Sequence, residues 1–152
     1  MAGNNPKRVF ERVITLLKSG DQDEAELLWR ARLSEDSRDV NFLSLLGSIL
    51  LRKNDFEGAE KILRNVIDVS PNYPNVQEDL GTVLLNIGKP EEALIYLQKA
   101  IQDNPKNSGA FFKFGGALKS LGRDEAGDAA LSYAANLSPL QANLERATKL
   151  FA

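Results

Sequence analysis

Residues of the same type recur in this sequence at a constant interval of 34 positions. Three prolines and four residues favoured in turns keep this interval: Pro71, Pro105 and Pro139, and Gly20, Asn54, Gly88 and Gly122. The period is too long for a coiled-coil heptad and is typical of one helix-turn-helix unit repeated along the chain. The spacing therefore predicts an all-α repeat array, and the functional question becomes what its stacked surface binds.

Blocks of 34 residues place similar residues in register. They cover residues 6–39, 40–73, 74–107 and 108–141 of a single domain that spans residues 1–152. One column holds Gly47, Gly81 and Gly115, each after a bulky apolar residue. Because a glycine inside a helix costs about 1 kcal/mol, this column predicts the close approach of a neighbouring helix.

Apolar residues three and four positions apart predict two helices in each block. Gly20, Asn54, Gly88 and Gly122 are expected in the left-handed conformation just past the end of the first helix. Asp21, with Glu24 three residues later, predicts a capping box at the start of a second helix. Asn41 and Asn75 are interpreted as helix caps in preference to ligand contacts.

Three of the blocks resemble the tetratricopeptide repeat. The residues that carry this resemblance are Leu46-Gly47, Ala59, Leu63, Val66 and Pro71, then Leu80-Gly81, Gly88, Glu92-Ala93, Leu97, Ala100 and Pro105, and then Phe111, Phe114-Gly115, Gly122, Leu131, Ala134 and Pro139. Block 6–39 has Arg12-Val13 in place of the leucine-glycine pair and is interpreted as a degenerate terminal repeat. The resemblance implies a right-handed superhelix, or solenoid. Separately, the spacing of apolar residues within residues 140–151 predicts a C-terminal capping helix.

The resemblance also implies that the first helix of each pair lines a concave groove for a peptide. Carried onto this sequence, the groove positions are Asn41, Ser44, Leu45, Ser48, Arg52, Asn75, Glu78, Asp79, Thr82, Asn86, Phe112, Lys113, Gly116 and Lys119, with Phe10, Ile14 and Leu17 in the first block. The family's clamp for chaperone C-termini is disfavoured, because Asp79 would repel a carboxylate. The asparagine ladder of sugar-transferase repeats also fails, because its column here contains Leu45 and Lys113.

Several groove positions have a structural interpretation beside the functional one. Phe112 next to Gly116 predicts a shallow pocket, but packing between repeats is the favoured interpretation of the ring. Leu17, Leu51 and Leu85 stand 34 residues apart and are also expected to pack. For Glu78 and Asp79 a solvated face is favoured over contact with a basic ligand. Trp29, which is not a groove position, is expected in the core.

The composition argues against catalysis and against nucleic acid as a partner. The sequence contains no histidine and no cysteine, which removes the commonest general base, the thiolate nucleophile and the commonest metal ligands. We therefore predict no enzyme activity, no cofactor and no metal. Nineteen basic and twenty-one acidic residues alternate along the chain and form no basic patch. The sequence shows neither a signal peptide nor a membrane-spanning run, so insertion into a membrane is not expected and a cytoplasmic location is predicted.

Three hypotheses for function follow. The first is a scaffold for protein–protein interaction that binds a peptide segment of a partner in the concave groove. The second is a repeat module of a longer polypeptide, with an enzyme as one case, which positions a substrate or drives self-association. The third is a small chaperone of the secretion type. A homo-oligomer formed through the irregular first block is a further hypothesis.

Overall fold

The computed structural model describes residues 5–138 of the chain. Within these residues it contains eight α-helices and no strand. The helices are α1 (Pro6–Ser19), α2 (Gln22–Glu35), α3 (Val40–Arg52), α4 (Phe56–Val69), α5 (Val76–Asn86), α6 (Pro90–Asp103), α7 (Ser108–Ser120) and α8 (Asp124–Leu137). One pair of helices lies in each 34-residue block, so the predicted all-α fold of repeated helix pairs is confirmed. The predicted capping helix at residues 140–151 lies outside the described residues.

The chain divides into two compact units, Met1–Tyr73 and Pro74–Ala152. In the described residues, unit 1 contains α1 to α4 and unit 2 contains α5 to α8. None of the described helices is both long enough and apolar enough to cross a membrane.

The turn inside each pair is built on a residue with a positive φ angle. Gly20, Gly88 and Gly122 have φ values of 90°, 78° and 74°, and Asn54 has a φ of 60°. The next residue in each case donates its backbone N–H to the carbonyl of a leucine five positions earlier, as in the Asp21–Leu16 bond of 2.9 Å. This bond satisfies a carbonyl at the end of the first helix. The prediction of left-handed turn residues is therefore confirmed.

The glycine column marks where two helices of a pair meet. A Cβ atom built on Gly47 would lie 2.7 Å from Cδ2 of Leu63, and one on Gly81 would lie 2.6 Å from Cγ of Leu97. Leu63 and Leu97 are fully buried. A side chain at either position would force the facing leucine to move, which confirms the predicted close approach.

The first pair of unit 1 is packed differently. Val13 stands in the glycine column and is fully buried, in a cluster with Leu16, Ala25 and Phe42. Trp29 packs against this cluster and remains half-buried. Phe10 meets Phe42 edge to face, with ring centroids 5.4 Å apart, and so joins α1 to α3. Aromatic pairs in this geometry stabilise a core beyond the area that they bury.

Two predicted helix caps are wrong. Asp21 precedes α2, but its side chain makes no capping bond and instead accepts a hydrogen bond of 2.6 Å from the Ser19 hydroxyl. Glu24, the other half of the predicted capping box, pairs with Arg12 at 3.0 Å. Asn41 lies inside α3, because Asp39 is the cap and accepts from the backbone N–H of Asn41. An aspartate two residues earlier in the chain thus takes the role predicted for Asn41.

Asn75 stands at the cap position of α5 but does not act through its side chain. Its φ is 65°, in the left-handed region, and its amide makes no capping hydrogen bond. Asparagine tolerates this conformation better than most residues, which explains its presence at this position.

Candidate functional site

The predicted groove residues of unit 1 lie on α3. Asn41 is exposed, and its Oδ1 accepts a hydrogen bond of 2.8 Å from the Tyr73 hydroxyl. Ser44 and Ser48 are half-buried, and Leu45 packs partly against the core cluster. Arg52, in the last turn, is exposed. Among the predicted groove residues of α3, Arg52 is therefore the charged residue that is exposed to solvent.

A cleft of about 570 Å³ opens in unit 1 between α1, α2 and α3. We call it the α1–α3 cleft. Its apolar lining is Ile14, Leu17, Trp29, Leu45 and Ile49, and its polar lining is Lys18, Gln22, Asp23, Glu26, Arg52 and Lys53. Four groove residues carried over from the family resemblance, Ile14, Leu17, Leu45 and Arg52, meet here.

In unit 2, Glu78 binds residues of its own chain. Its carboxylate accepts a hydrogen bond of 2.7 Å from Nζ of Lys113 and one of 2.6 Å from Nδ2 of Asn107. Desolvation raises the pKa of Glu78, but these two hydrogen bonds and the charge of Lys113 together outweigh it, so the pKa lies below its usual value. The side chain of Glu78 is only 16% exposed. The favoured interpretation of Glu78 as part of a solvated face is wrong, because the residue joins α5 to α7.

Other polar groove residues of unit 2 also form bonds within the chain. The Thr82 hydroxyl donates to the Glu78 carbonyl at 2.8 Å, and the Asn86 amide donates to the Thr82 carbonyl at 2.8 Å. Lys119 forms an ion pair with Asp128 of α8, which raises the pKa of Lys119. Asp79 is half-buried. The two lysines predicted at the far end of the groove are thus both paired with carboxylates of the protein.

Phe112 is the groove residue of unit 2 that presents a large apolar surface. It is 56% exposed, so the favoured interpretation, packing between repeats, is wrong. A Cβ atom built on Gly116, one turn later, would meet nothing within 4 Å. A pocket of about 340 Å³ adjoins the ring and is lined by Ser108, Gly109, Phe112, Lys113, Leu131, Ala134, Ala135 and Ser138. Gly116 does not line this pocket. The shallow pocket predicted between Phe112 and Gly116 therefore stays a prediction.

Sequence reasoning missed seven residues of the α1–α3 cleft: Lys18, Gln22, Asp23, Glu26, Trp29, Ile49 and Lys53. Trp29 was expected in the core, but it is half-buried and lines the cleft. The Arg30 guanidinium lies 5.0 Å from its ring centroid. The sequence does carry a signal for Lys18, because it stands 34 residues before Arg52. The same position of two successive first helices therefore carries a cation.

The described residues contain no group of three or more histidine, cysteine, aspartate or glutamate side chains that could hold a metal ion. The two sites of interest, the α1–α3 cleft and the exposed face of α7 around Phe112, are instead apolar surfaces with charged rims. Such surfaces are suited to binding a side chain or a peptide.

Comparison with known proteins identifies the repeat. Two family models described as tetratricopeptide repeat match residues 10–76 and 50–110 and together cover residues 10–110. A sequence comparison with curated proteins gives no match.

Several solved structures have similar folds. A MamA double mutant, RS-1 ArsTM, is 24% identical, with a TM-score of 0.80 over 91% of this chain and 78% of that chain. YrrB, described as a TPR protein with an unusual peptide-binding site, is 21% identical, with a TM-score of 0.77 over 86% of this chain and 68% of that chain. A crystal structure of MamA is 22% identical, with a TM-score of 0.76 over 84% and 74%. At these identities the likeness shows the fold.

Proposed function

Since this chain belongs to the tetratricopeptide-repeat family, we propose that it is a non-catalytic interaction module that binds a peptide segment of a partner protein. The ligand lies against the first helices of the repeats, at the groove positions that remain accessible. YrrB, one of the similar structures, is described as having a peptide-binding site, and a peptide is the ligand class proposed here.

One observation carries the proposal: an aromatic ring on a first helix faces solvent beside an open glycine. Phe112 is 56% exposed, and Gly116 leaves the space one turn away unfilled. Aromatic residues, phenylalanine included, are enriched at the cores of interfaces, so a large exposed ring beside free space is suited to act as an anchor. The lack of histidine and cysteine supports the non-catalytic part of the proposal.

We further propose which groove residues contact the ligand directly, because several charged groove residues are already paired within the chain. Glu78 and Lys113 neutralise each other, and Lys119 is held by Asp128. We therefore assign ligand contact first to Phe112 and Gly116 within unit 2, and separately to Arg52 within unit 1. The remaining groove positions, self-association and the cytoplasmic location stay predictions from the sequence.

The test combines partner capture with two variants of α7. The full chain is used as bait in a lysate of its source cells, and the affinity of the captured partner is then measured with purified proteins. Phe112→Ser removes the exposed ring, and Gly116→Tyr fills the open space. We expect each to weaken binding about tenfold or more, which corresponds to the loss of about 1.4 kcal/mol or more at an interface anchor.

Ile95→Ser is the matched control, because Ile95 is 55% exposed but lies on α6, a second helix. It should leave binding unchanged. Equal losses for Ile95→Ser and Phe112→Ser, or full binding by both α7 variants, would contradict the proposal. Circular dichroism of each variant establishes that helicity is intact.

A further inference from the structure

We infer that the α1–α3 cleft binds an acidic amphipathic peptide, whose apolar side chains enter the cleft and whose carboxylates meet Lys18, Arg52 and Lys53. The inference rests on the proposed function and extends it, because it assigns a ligand chemistry to unit 1. The second helix of a pair contributes to this site through Trp29, in addition to the first-helix positions.

The size and lining of the cleft fit apolar side chains. Its volume of about 570 Å³ lies within the usual range of ligand sites, about 300–1,000 Å³. Leu17, Trp29 and Leu45 each pack against the core cluster of unit 1 and also line the cleft. Contact with the core therefore restrains these side chains before a ligand binds. Because the apolar surface is preformed, the side chains lose little conformational entropy on binding.

The charges around the cleft favour a negative ligand. Within the described residues, Lys18, Arg52 and Lys53 have no ion-pair partner. Two carboxylates also line the cleft, but Glu26 is held by Arg30 at 2.6 Å, which leaves Asp23 against three cations. The cleft thus carries a local excess of positive charge in a chain whose net charge is −2. Charge complementarity of this kind selects partners and speeds their association.

Trp29 provides the readout, because it is the only tryptophan in the sequence. The probe is a synthetic peptide, Asp-Glu-Leu-Phe-Glu-Asp-Leu, acetylated at its N-terminus and amidated at its C-terminus, as is its uncharged counterpart. It is titrated into the full chain while the Trp29 emission is recorded. We expect a saturable change in emission. The uncharged peptide Asn-Gln-Leu-Phe-Gln-Asn-Leu should bind about tenfold or more weakly, because it retains the apolar anchors but not the carboxylates.

Charge reversal locates the binding site. The double variant Lys18→Glu/Arg52→Glu should reduce the affinity for the acidic peptide about tenfold or more, since two attractions become repulsions. The control is Lys61→Glu/Lys106→Glu, which makes the same change of net charge at exposed positions outside the cleft. Ile49→Gln should also weaken binding, because it places a polar amide in the apolar lining.

Three results would overturn the inference. The first is equal affinity of the acidic and the uncharged peptide, and the second is equal losses in the charge-reversed variant and its control. The third is tighter binding of another occupant, either a single-stranded oligothymidylate or a peptide of residues 140–151 of this chain. If the cleft fails these tests while Phe112→Ser still loses its partner, the proposed function stands without this site.

Discussion

Two neighbouring glycines of α7 should respond in opposite directions to the same substitution. A Cβ atom on Gly115 would lie 2.8 Å from Cγ of Leu131 and 2.9 Å from the carbonyl oxygen of Gly127, whereas one on Gly116 would meet nothing within 4 Å. Alanine gains about 1 kcal/mol over glycine in a helix. Overpacking costs about 1–3 kcal/mol, and the upper part of that range applies where a backbone atom is hit, because it cannot rotate away.

The balance between helix propensity and overpacking decides whether each substitution raises or lowers the free energy of unfolding. Gly115→Ala should lower the free energy of unfolding by about 1–2 kcal/mol, and Gly116→Ala should raise it by up to about 1 kcal/mol. The two variants should then differ in Tm by roughly 2–12 °C, at about 2–4 °C per kcal/mol for a chain of this size.

Urea titrations followed by far-UV circular dichroism measure both free energies in one experiment, with the unsubstituted chain as reference. Each variant is the other's control, because both add one methyl group to the same helix. A gain in stability for Gly115→Ala would refute the close approach of α7 and α8. A loss for Gly116→Ala would refute the open face on which the proposed anchor beside Phe112 depends.

Three further predictions concern a cap, a turn and an ion pair. Asp55 accepts a hydrogen bond of 3.0 Å from the backbone N–H of Gly58. Asp55→Ala should therefore lower the free energy of unfolding, measured by urea titration, by about 1 kcal/mol, whereas Asp21→Ala should lower it by only a few tenths of a kcal/mol. Equal losses would contradict the assignment of Asp55 as a cap and of Asp21 as none. Gly122→Ala should cost about 1–2 kcal/mol, because φ is 74° and alanine is strained there; an unchanged midpoint would argue against that turn. Because the folded-state pKa of Glu78 is lowered, its stabilising effect is present above the unfolded pKa and is lost as the pH falls through the folded one. The stability difference between the unsubstituted chain and Glu78→Gln should therefore be larger at about pH 7 than at about pH 3, and a constant difference would contradict the ion pair.

The repeated helix pairs were predictable from spacing because their turns depend on local conformation. A left-handed residue is needed after each first helix, and glycine or asparagine at Gly20, Asn54, Gly88 and Gly122 meets that need without help from distant residues. Helix caps were less predictable, because a carboxylate can bind several donors. Asp21 takes the Ser19 hydroxyl, and no feature of the Asp–Glu spacing excludes that choice.

The candidate sites were harder to predict, because their accessible charges depend on which groups the fold pairs together. Glu78 and Lys113 stand 35 residues apart and fall in different columns of the repeat, so the register alone does not bring them together. Their contact arises from the way in which α7 packs beside α5, and it removes two charges from the surface that a ligand can reach. Arg52 and Lys18 have no such carboxylate partner among the described residues. We therefore expect the groove residues that act on a ligand to be those that neighbouring helices leave unpaired. This argument directs attention to the α1–α3 cleft and to the exposed face around Phe112.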